Sequence, residues 1–339
     1  MFVNRILAIA ILCCASILSR AQYYDFFPED NWKRFRHHIE AGIGTTNFLG
    51  DLGGKDAIGT NDLRDLEWSQ FHLAGYIGYR YVFHKYIYGR LNFAAGKVTG
   101  DDKLTKEPFR MNRNLNFKSA IYEVDLMAEF QVRLSDKKGH QHKLNRVDAT
   151  SGPWRIRASY LSVFGGIGVF NFNPKGNLNG EWVRLHPLRT EGQGLPNGPE
   201  EYKLWQINIP VGLNLMFRMD RQWMFGIEAM HRYTFTDYID DVSTEYYNPY
   251  DIALYNDQGM GDIAAYLSNP SLGVANGGLS DVVTAPGQQR GDKKDNDGYF
   301  YVTFKVDYLI MNKAKFYQKK TKRLGSDRRK FKRSRPFGG

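Results

Sequence analysis

The sequence predicts an all-β fold, an eight-stranded antiparallel β-barrel whose strands are joined alternately by long and short connections. Two observations favour this fold. Aromatic residues make up 14% of the 339 residues, and 22 Phe, 21 Tyr and 34 Gly are typical of strands and turns. Apolar and polar residues also alternate over repeated stretches of about ten residues, which is the period of a half-buried strand.

Eight stretches follow this pattern, and we predict strands at 35–44, 71–82, 86–95, 120–132, 156–170, 205–217, 222–232 and 299–310. In the clearest, every second residue from Trp205 to Phe217 is apolar. The four connections predicted on one side are all long, and two of the three on the other side are tight. Long external loops and short periplasmic turns are typical of outer-membrane barrels. An even strand number places both termini on the short-turn side, so we expect both to be periplasmic.

The N-terminal segment favours export. Residues 1–21 contain Arg5, an apolar run from Ile6 to Leu18, and small residues before Gln22, which predicts a cleaved signal peptide. A retained anchor or a lipid on Cys13 or Cys14 is the less favoured alternative. Both cysteines lie in this segment, so the mature chain would have no disulfides, thiolate metal sites or cysteine nucleophiles.

The face that meets lipid follows from the cost of charge in hydrocarbon, about 2–4 kcal/mol for Lys or Arg at mid-membrane. The apolar face must therefore point outward and the charged face inward. The predicted interior charge network contains Glu40, Arg80, Arg90, Glu123, Asp125, Glu129, Glu228, Arg232, Lys305 and Asp307. This mixed-sign set can pair and fill the lumen, and a small conducting path is the alternative. Tyr76, Tyr79, Tyr81, Tyr86, Tyr88, Trp205, Trp223 and Tyr308 are candidates for aromatic girdles.

The mean hydropathy of −0.50 excludes a bundle of membrane-spanning helices, because each needs about 20 mostly apolar residues. A secreted β-sandwich would also alternate apolar and polar residues. Its solvent face, however, would not need acids and bases on every strand. We therefore prefer the transmembrane barrel.

No catalytic, cofactor or metal residues are predicted, and we expect a protein that is not an enzyme. Residues 292–298 are rich in Asp but lack the EF-hand spacing and its closing Glu, so a polar turn is preferred to a calcium loop. Ser159 or Ser162 with His231 would suit a lipid hydrolase, although no motif surrounds them.

The net charge of +10 is concentrated near the C-terminus. Residues 311–339 carry twelve Lys or Arg and one Asp, whereas residues 21–310 sum to −3. The candidate partner-binding residues of this tail are Lys319, Lys320, Lys322, Arg323, Arg328, Arg329, Lys330, Lys332, Arg333 and Arg335. Export makes nucleic acid an unsuitable partner, and leaves lipid phosphates, peptidoglycan or an acidic protein. A solvated, disordered end is the alternative. The predicted 133–154 turn is also basic.

Five ordered segments resemble one family, the PorG-like outer-membrane barrels of the type IX secretion system. They are 40–44 with 47–52, 114–119 with 121–123, 164–170 with 173–175, 187–188 with 190–194, and 236–243, the last reading Thr-Asp-Tyr-Ile-Asp-Asp-Val-Ser. The resemblance implies a non-enzymatic barrel that joins the outer membrane to a periplasmic ring built by a lipoprotein and its partner, for protein secretion and gliding motility. It does not explain the tail. We therefore expect a signal peptide at 1–21, an outer-membrane barrel at 22–312 and a basic periplasmic tail at 313–339.

Overall fold

The computed structural model describes residues 32–33, 35–52, 71–105, 107–136, 158–219, 222–256 and 259–311. The expected signal peptide, residues 137–154 of the basic turn and the tail at 313–339 lie outside these ranges. No helix among the described residues is both long and apolar enough to cross a membrane.

Eight long strands close into an antiparallel barrel, as predicted. They are β1 His37–Leu49, β2 His72–His84, β3 Ile87–Asp101, β4 Asn116–Asp136, β5 Ala158–Asn171, β8 Trp205–Arg218, β9 Trp223–Thr234 and β10 Gly298–Leu309. Each pairs with its neighbour along the chain, except that β5 pairs with β8, and β10 returns to β1. The pairing of β3 with β4 completes the closure, so the barrel has no free edge.

The connections alternate in length as the sequence predicts. Residues 50–71, 102–115, 172–204 and 235–297 join strands at one end, and the opposite end has the turn at 85–86 and the turn at 219–222. The chain enters β1 and leaves β10 at this second end, where the Ile310 amide donates to the His37 carbonyl at 2.9 Å. We call it the short-turn end.

A hairpin of β6 Pro174–Leu178 and β7 Glu181–Arg184 extends the wall at the other end. β6 continues the register of β5 against β4, because Tyr122 faces Asn171 and Lys118 faces Lys175. This hairpin was not predicted, since its strands are short and polar. The signal was present in Asn179-Gly180, which take positive φ angles of 52° and 97° in the turn, as Asn-Gly hairpin turns do.

The described residues of the four long connections fold over their end of the barrel, and we call them the cap. The cap contains the helices α1 Pro108–Arg113, α2 Pro249–Tyr255 and α3 Gly261–Ser268. An apolar cluster that includes Phe48, Phe117, Phe170 and Ile239 packs where cap and barrel meet. A second cluster packs α2 and α3 against residues 185–195. The long connections are therefore folded structure over most of their described length.

Candidate functional site: barrel interior, cap and outer wall

The barrel interior contains the ten charged residues named from the sequence, and all of them are buried. Near the short-turn end, Arg80 donates to Asp307 at 3.0 Å and to Glu129 at 2.9 Å. His38 lies 2.6 Å from the other oxygen of Asp307. His38 was not predicted as part of the network, although it lies two residues before Glu40 and therefore points to the same, inward face of β1.

The middle of the lumen is held by Arg90 and Lys305. Arg90 Nε lies 2.7 Å from Glu40, and its Nη1 lies 2.9 Å from Glu228 on the far side of the barrel. Lys305 Nζ contacts the same two carboxylates at 2.8 and 3.2 Å. These four side chains form a closed ring of alternating charge across the lumen.

Near the cap, Arg232 pairs with Glu123 and lies 3.3 Å from Asp125. The Tyr299 hydroxyl donates to Glu123 at 2.7 Å, and Asn208 donates to that hydroxyl at 2.9 Å. Because strands β9 and β4 are not neighbours, this group also crosses the lumen. The charged side chains thus connect distant walls at three levels.

The cap contains a second set of buried polar groups. Glu191 accepts from the Ser243 and Thr244 amides and from Arg290 Nη1, at 2.8–3.0 Å. Asp241 accepts from Thr190 at 2.5 Å and from Tyr202 at 2.6 Å. Loops far apart in sequence are thereby joined.

Four aspartates of the cap, Asp51, Asp237, Asp240 and Asp297, lie close enough to influence one another. Burial raises the pKa of Asp237 to about 10, and the charges of Asp51 and Asp240 add to the effect. Burial likewise raises the pKa of Asp240 and of Asp297 well above the usual range. These carboxyls are therefore protonated more readily than ordinary surface aspartates.

No group of three His, Cys, Asp or Glu side chains in the described part of the chain could hold a metal ion. In the 292–298 turn, the Asp292 amide donates to Asp51 and the Ile239 amide donates to Asp297. Those contacts join the turn to other loops of the cap.

The candidate hydrolase residues do not come together. Ser162 is buried in the lumen, whereas His231 lies on the outer face of β9. Ser159 faces Phe217 near the short-turn end, whereas His231 faces Val211 nearer the cap.

The outer wall is apolar. Side chains at alternate positions of the eight strands point outward, and many are at least half exposed, among them Ile43, Ile77, Phe93, Leu126, Ile167, Leu213, Ile227 and Phe304. Of the girdle candidates, Tyr79, Tyr86 and Trp205 are exposed on this surface. Tyr76 and Tyr88 are not, and their assignment to a girdle was wrong. They share the parity of Arg80 and Arg90 and are buried inside the barrel.

No protein-family model and no curated protein matches the sequence. Similar solved structures include Ail, the attachment invasion locus protein of Yersinia pestis, at 11% identity, covering 82% of this chain and 99% of that chain with a TM-score of 0.33. Neisserial surface protein A matches at 7% identity, covering 81% and 97% with a TM-score of 0.32. The N-terminal β-barrel domain of Pseudomonas aeruginosa OprF matches at 9%, covering 81% and 98% with a TM-score of 0.29. Likeness at this level assigns no function to the chain.

Proposed function

We propose that the chain is a non-enzymatic outer-membrane barrel of the type IX secretion and gliding machinery, where it anchors periplasmic ring subunits to the membrane. The observation that supports the membrane placement is the inverted polarity of the barrel. Its lumen holds ten paired charged residues, whereas its outer wall exposes aliphatic and aromatic side chains. Water would penalise that exposed apolar surface, and hydrocarbon would not.

The height of the apolar wall fits a bilayer. On β4 the outward positions from Ala120 to Phe130 are uncharged, and they span ten residue steps. A strand rises about 3.3 Å per residue and tilts by roughly 40° in such barrels, which gives an apolar height of about 25 Å. This is the thickness that outer-membrane barrels present to lipid.

The interior supports an anchoring role rather than a conducting one. An eight-stranded barrel has room for its side chains and little more. Arg90, Arg232 and their partners cross that space, and the cap packs over one end. The described contacts therefore favour a plugged barrel whose binding surfaces lie at its two ends.

The type IX assignment is supported by the resemblance together with the place of its segments in the fold. In the cap, Leu52 of the first segment donates its amide to Asp240 of the last at 3.0 Å. Thr190 of the fourth segment donates to Asp241 of the last. Segments that resemble one family thus contact one another in the cap, as expected if they jointly stabilise its fold.

The ring-binding surface is proposed at the short-turn end, which we place in the periplasm. β1 begins and β10 ends there, and β4 ends at Asp136 and β5 begins at Ala158 at the same end. The predicted basic turn therefore starts after residue 136 rather than at 133, because residues 133–136 belong to β4, and the rest of it lies outside the described residues. The net charge of +11 in residues 311–339 would attract an acidic partner such as a ring lipoprotein, with an affinity that falls as salt rises.

The experiment is gentle extraction with crosslinking, followed by identification of the proteins, lipids and peptidoglycan fragments that co-purify. It compares the full chain with a variant truncated after Asn312. We expect ring components with the full chain, fewer with the truncated one, and equal amounts of inserted barrel in both. Peptidoglycan or lipid alone with the full chain would instead support the alternative, a stand-alone envelope barrel whose tail binds those polymers or lipid phosphates. Unchanged crosslinking after truncation would leave the tail as a solvated end.

A further inference from the structure

A row of basic side chains crosses the outer wall at the cap end. On neighbouring strands, Lys118 of β4 lies opposite Lys175 of β6, and Lys175 lies opposite Arg184 of β7. Lys97 of β3 is diagonal to Lys118, because Lys97 faces Ala120 and Thr99 faces Lys118. Residues opposite one another on antiparallel strands point to the same face, so these four cations share one exterior patch, the rim patch.

The cations of the rim patch are unpaired among the described residues, although Asp101 on the same face of β3 is the second diagonal neighbour of Lys118 and accepts from the Lys103 amide at 2.9 Å. None of its four cations forms an ion pair with a carboxylate of the described residues. The charges of Lys97 and Lys175 both act unfavourably on Lys118. Like charges on facing strand positions destabilise a sheet, so the fold itself gains nothing from this arrangement. An anion bound there would remove the repulsion.

The surroundings of the rim patch suit a phosphate headgroup. Lys118 Nζ lies 3.8 Å from the centre of the Trp182 ring, and Trp182 is an amphipathic side chain of the type found at membrane interfaces. Lys97 and Trp182 also line a cavity of about 550 Å³, together with Asn116 and Asn177. Polar donors and open space are therefore available beside the charges.

The height of the rim patch identifies the occupant. Four residues below Lys118 on the same face of β4 is the exposed Tyr122, and Val124 and Leu126 follow. At about 3.3 Å per residue, Lys118 lies roughly 13 Å along the strand above Tyr122 and about 7 Å above Ala120, where the uncharged wall begins. If the cap end faces outward, as the proposed function requires, the cations reach the phosphate level of the outer leaflet.

We propose that the rim patch binds the phosphate groups of an outer-leaflet lipid. This inference rests on the proposed membrane placement. Lysine is suited to the task, since it offers a compact charge with three rotatable donors to a phosphate oxygen. A lipid bound here would fix the height and rotation of the barrel at its cap end, opposite the proposed ring-binding surface.

The test uses the full chain inserted into phosphatidylcholine vesicles that contain a minor share of lipid A, either phosphorylated or dephosphorylated. Lipid that remains bound after detergent extraction is counted by native mass spectrometry. The variant is Lys118→Gln/Lys175→Gln. The matched control, Lys293→Gln/Lys294→Gln, removes the same charge from an exposed turn of the cap. Heat-dependent gel mobility reports insertion in each sample.

We expect the parent chain and the control to retain phosphorylated lipid A in preference to the dephosphorylated form. The rim variant should retain about thirtyfold less, as expected for two lysines lost near an anionic surface. Equal retention by the rim variant and the control, equal retention of the two lipids, or displacement by equimolar inorganic phosphate would overturn the proposal. Failure of the parent chain to insert would instead contradict the membrane placement.

Discussion

Arg232 offers the sharpest test of the interior network. It is almost fully buried, with Nε 2.8 Å from Glu123 and Nη2 3.3 Å from Asp125. The change Arg232→Met keeps an unbranched side chain against the Tyr301 ring, 4.1 Å from the guanidinium, but leaves both carboxylates without their cation. Breaking a buried ion pair by removing one partner costs about 3–5 kcal/mol. We expect that loss in the free energy of unfolding.

A compensating variant separates the charge from the packing. In Glu123→Gln/Asp125→Asn/Arg232→Met no uncompensated charge remains in this group, and Tyr299 can still donate to the amide oxygen at position 123. Replacing a whole buried ion pair by neutral groups is often close to neutral, so most of the lost stability should return. Arg189→Met serves as the control, because its contact with Glu201 is 4.0 Å long and exposed, which limits the expected change to about 0–1 kcal/mol.

The assay is urea unfolding of the refolded barrel in detergent, followed by tryptophan fluorescence and by the mobility of unboiled samples. A free-energy loss in Arg232→Met no larger than in the Arg189→Met control would refute the buried network. A triple variant less stable than the single one would show that the carboxylates do not depend on Arg232.

Three further predictions concern the outer wall and the cap. Ile227→Arg should make the free energy of barrel insertion less favourable by about 2–4 kcal/mol, whereas Leu254→Arg at a similarly exposed position in α2 should leave it unchanged. Equal amounts of inserted barrel for the two variants would argue against a lipid-facing wall. The raised pKa of Asp237 means that the folded state keeps its proton while the unfolded chain loses it, so stability should fall as pH rises from about 4 towards 10. Asp237→Asn should therefore stabilise by about 1–3 kcal/mol at pH 8 and by less at pH 5 in thermal melts, and equal gains would contradict the buried acid. Gly192 and Gly194 both have φ of +72°, but only a Cβ on Gly192 would clash, at 2.4 Å from the Tyr247 ring. Gly192→Ala should therefore lower the melting temperature more than Gly194→Ala. Equal decreases would contradict this packing.

The barrel could be predicted from sequence because its two environments alternate with the strand period. Each strand has one face in the lumen and one on the outer wall, so parity sorts the side chains without knowledge of their partners. The same parity would have added His38 to the network. It would also have corrected Tyr76 and Tyr88, which were assigned by their nearness to strand ends rather than by the face they share with Arg80 and Arg90.

The cap could not be predicted in this way. Its contacts join residues far apart in sequence, such as the Asp292 amide with Asp51 and the Leu52 amide with Asp240. Irregular connections have no fixed period, so no local pattern shows which carboxylate will meet which amide. The ends of β3 and β4 were missed for a related reason. Beyond Ala95 and before Ala120 the strands continue into the rim, where outward residues are no longer apolar.

Barrel assembly and partner binding depend on different residues, the interior ion pairs and the proposed tail, so each can be perturbed separately. Ion pairs between non-neighbouring strands, such as Arg232 with Glu123, oppose sliding of one strand past another, because a shift by one residue would reverse the facing of every side chain. Interior variants should therefore lower the amount of assembled barrel and every activity together. A truncation after Asn312 leaves those pairs untouched, so a loss of crosslinking with an unchanged amount of barrel would locate partner binding in the tail. Comparing both quantities for both kinds of variant separates a defect in folding from a defect in anchoring.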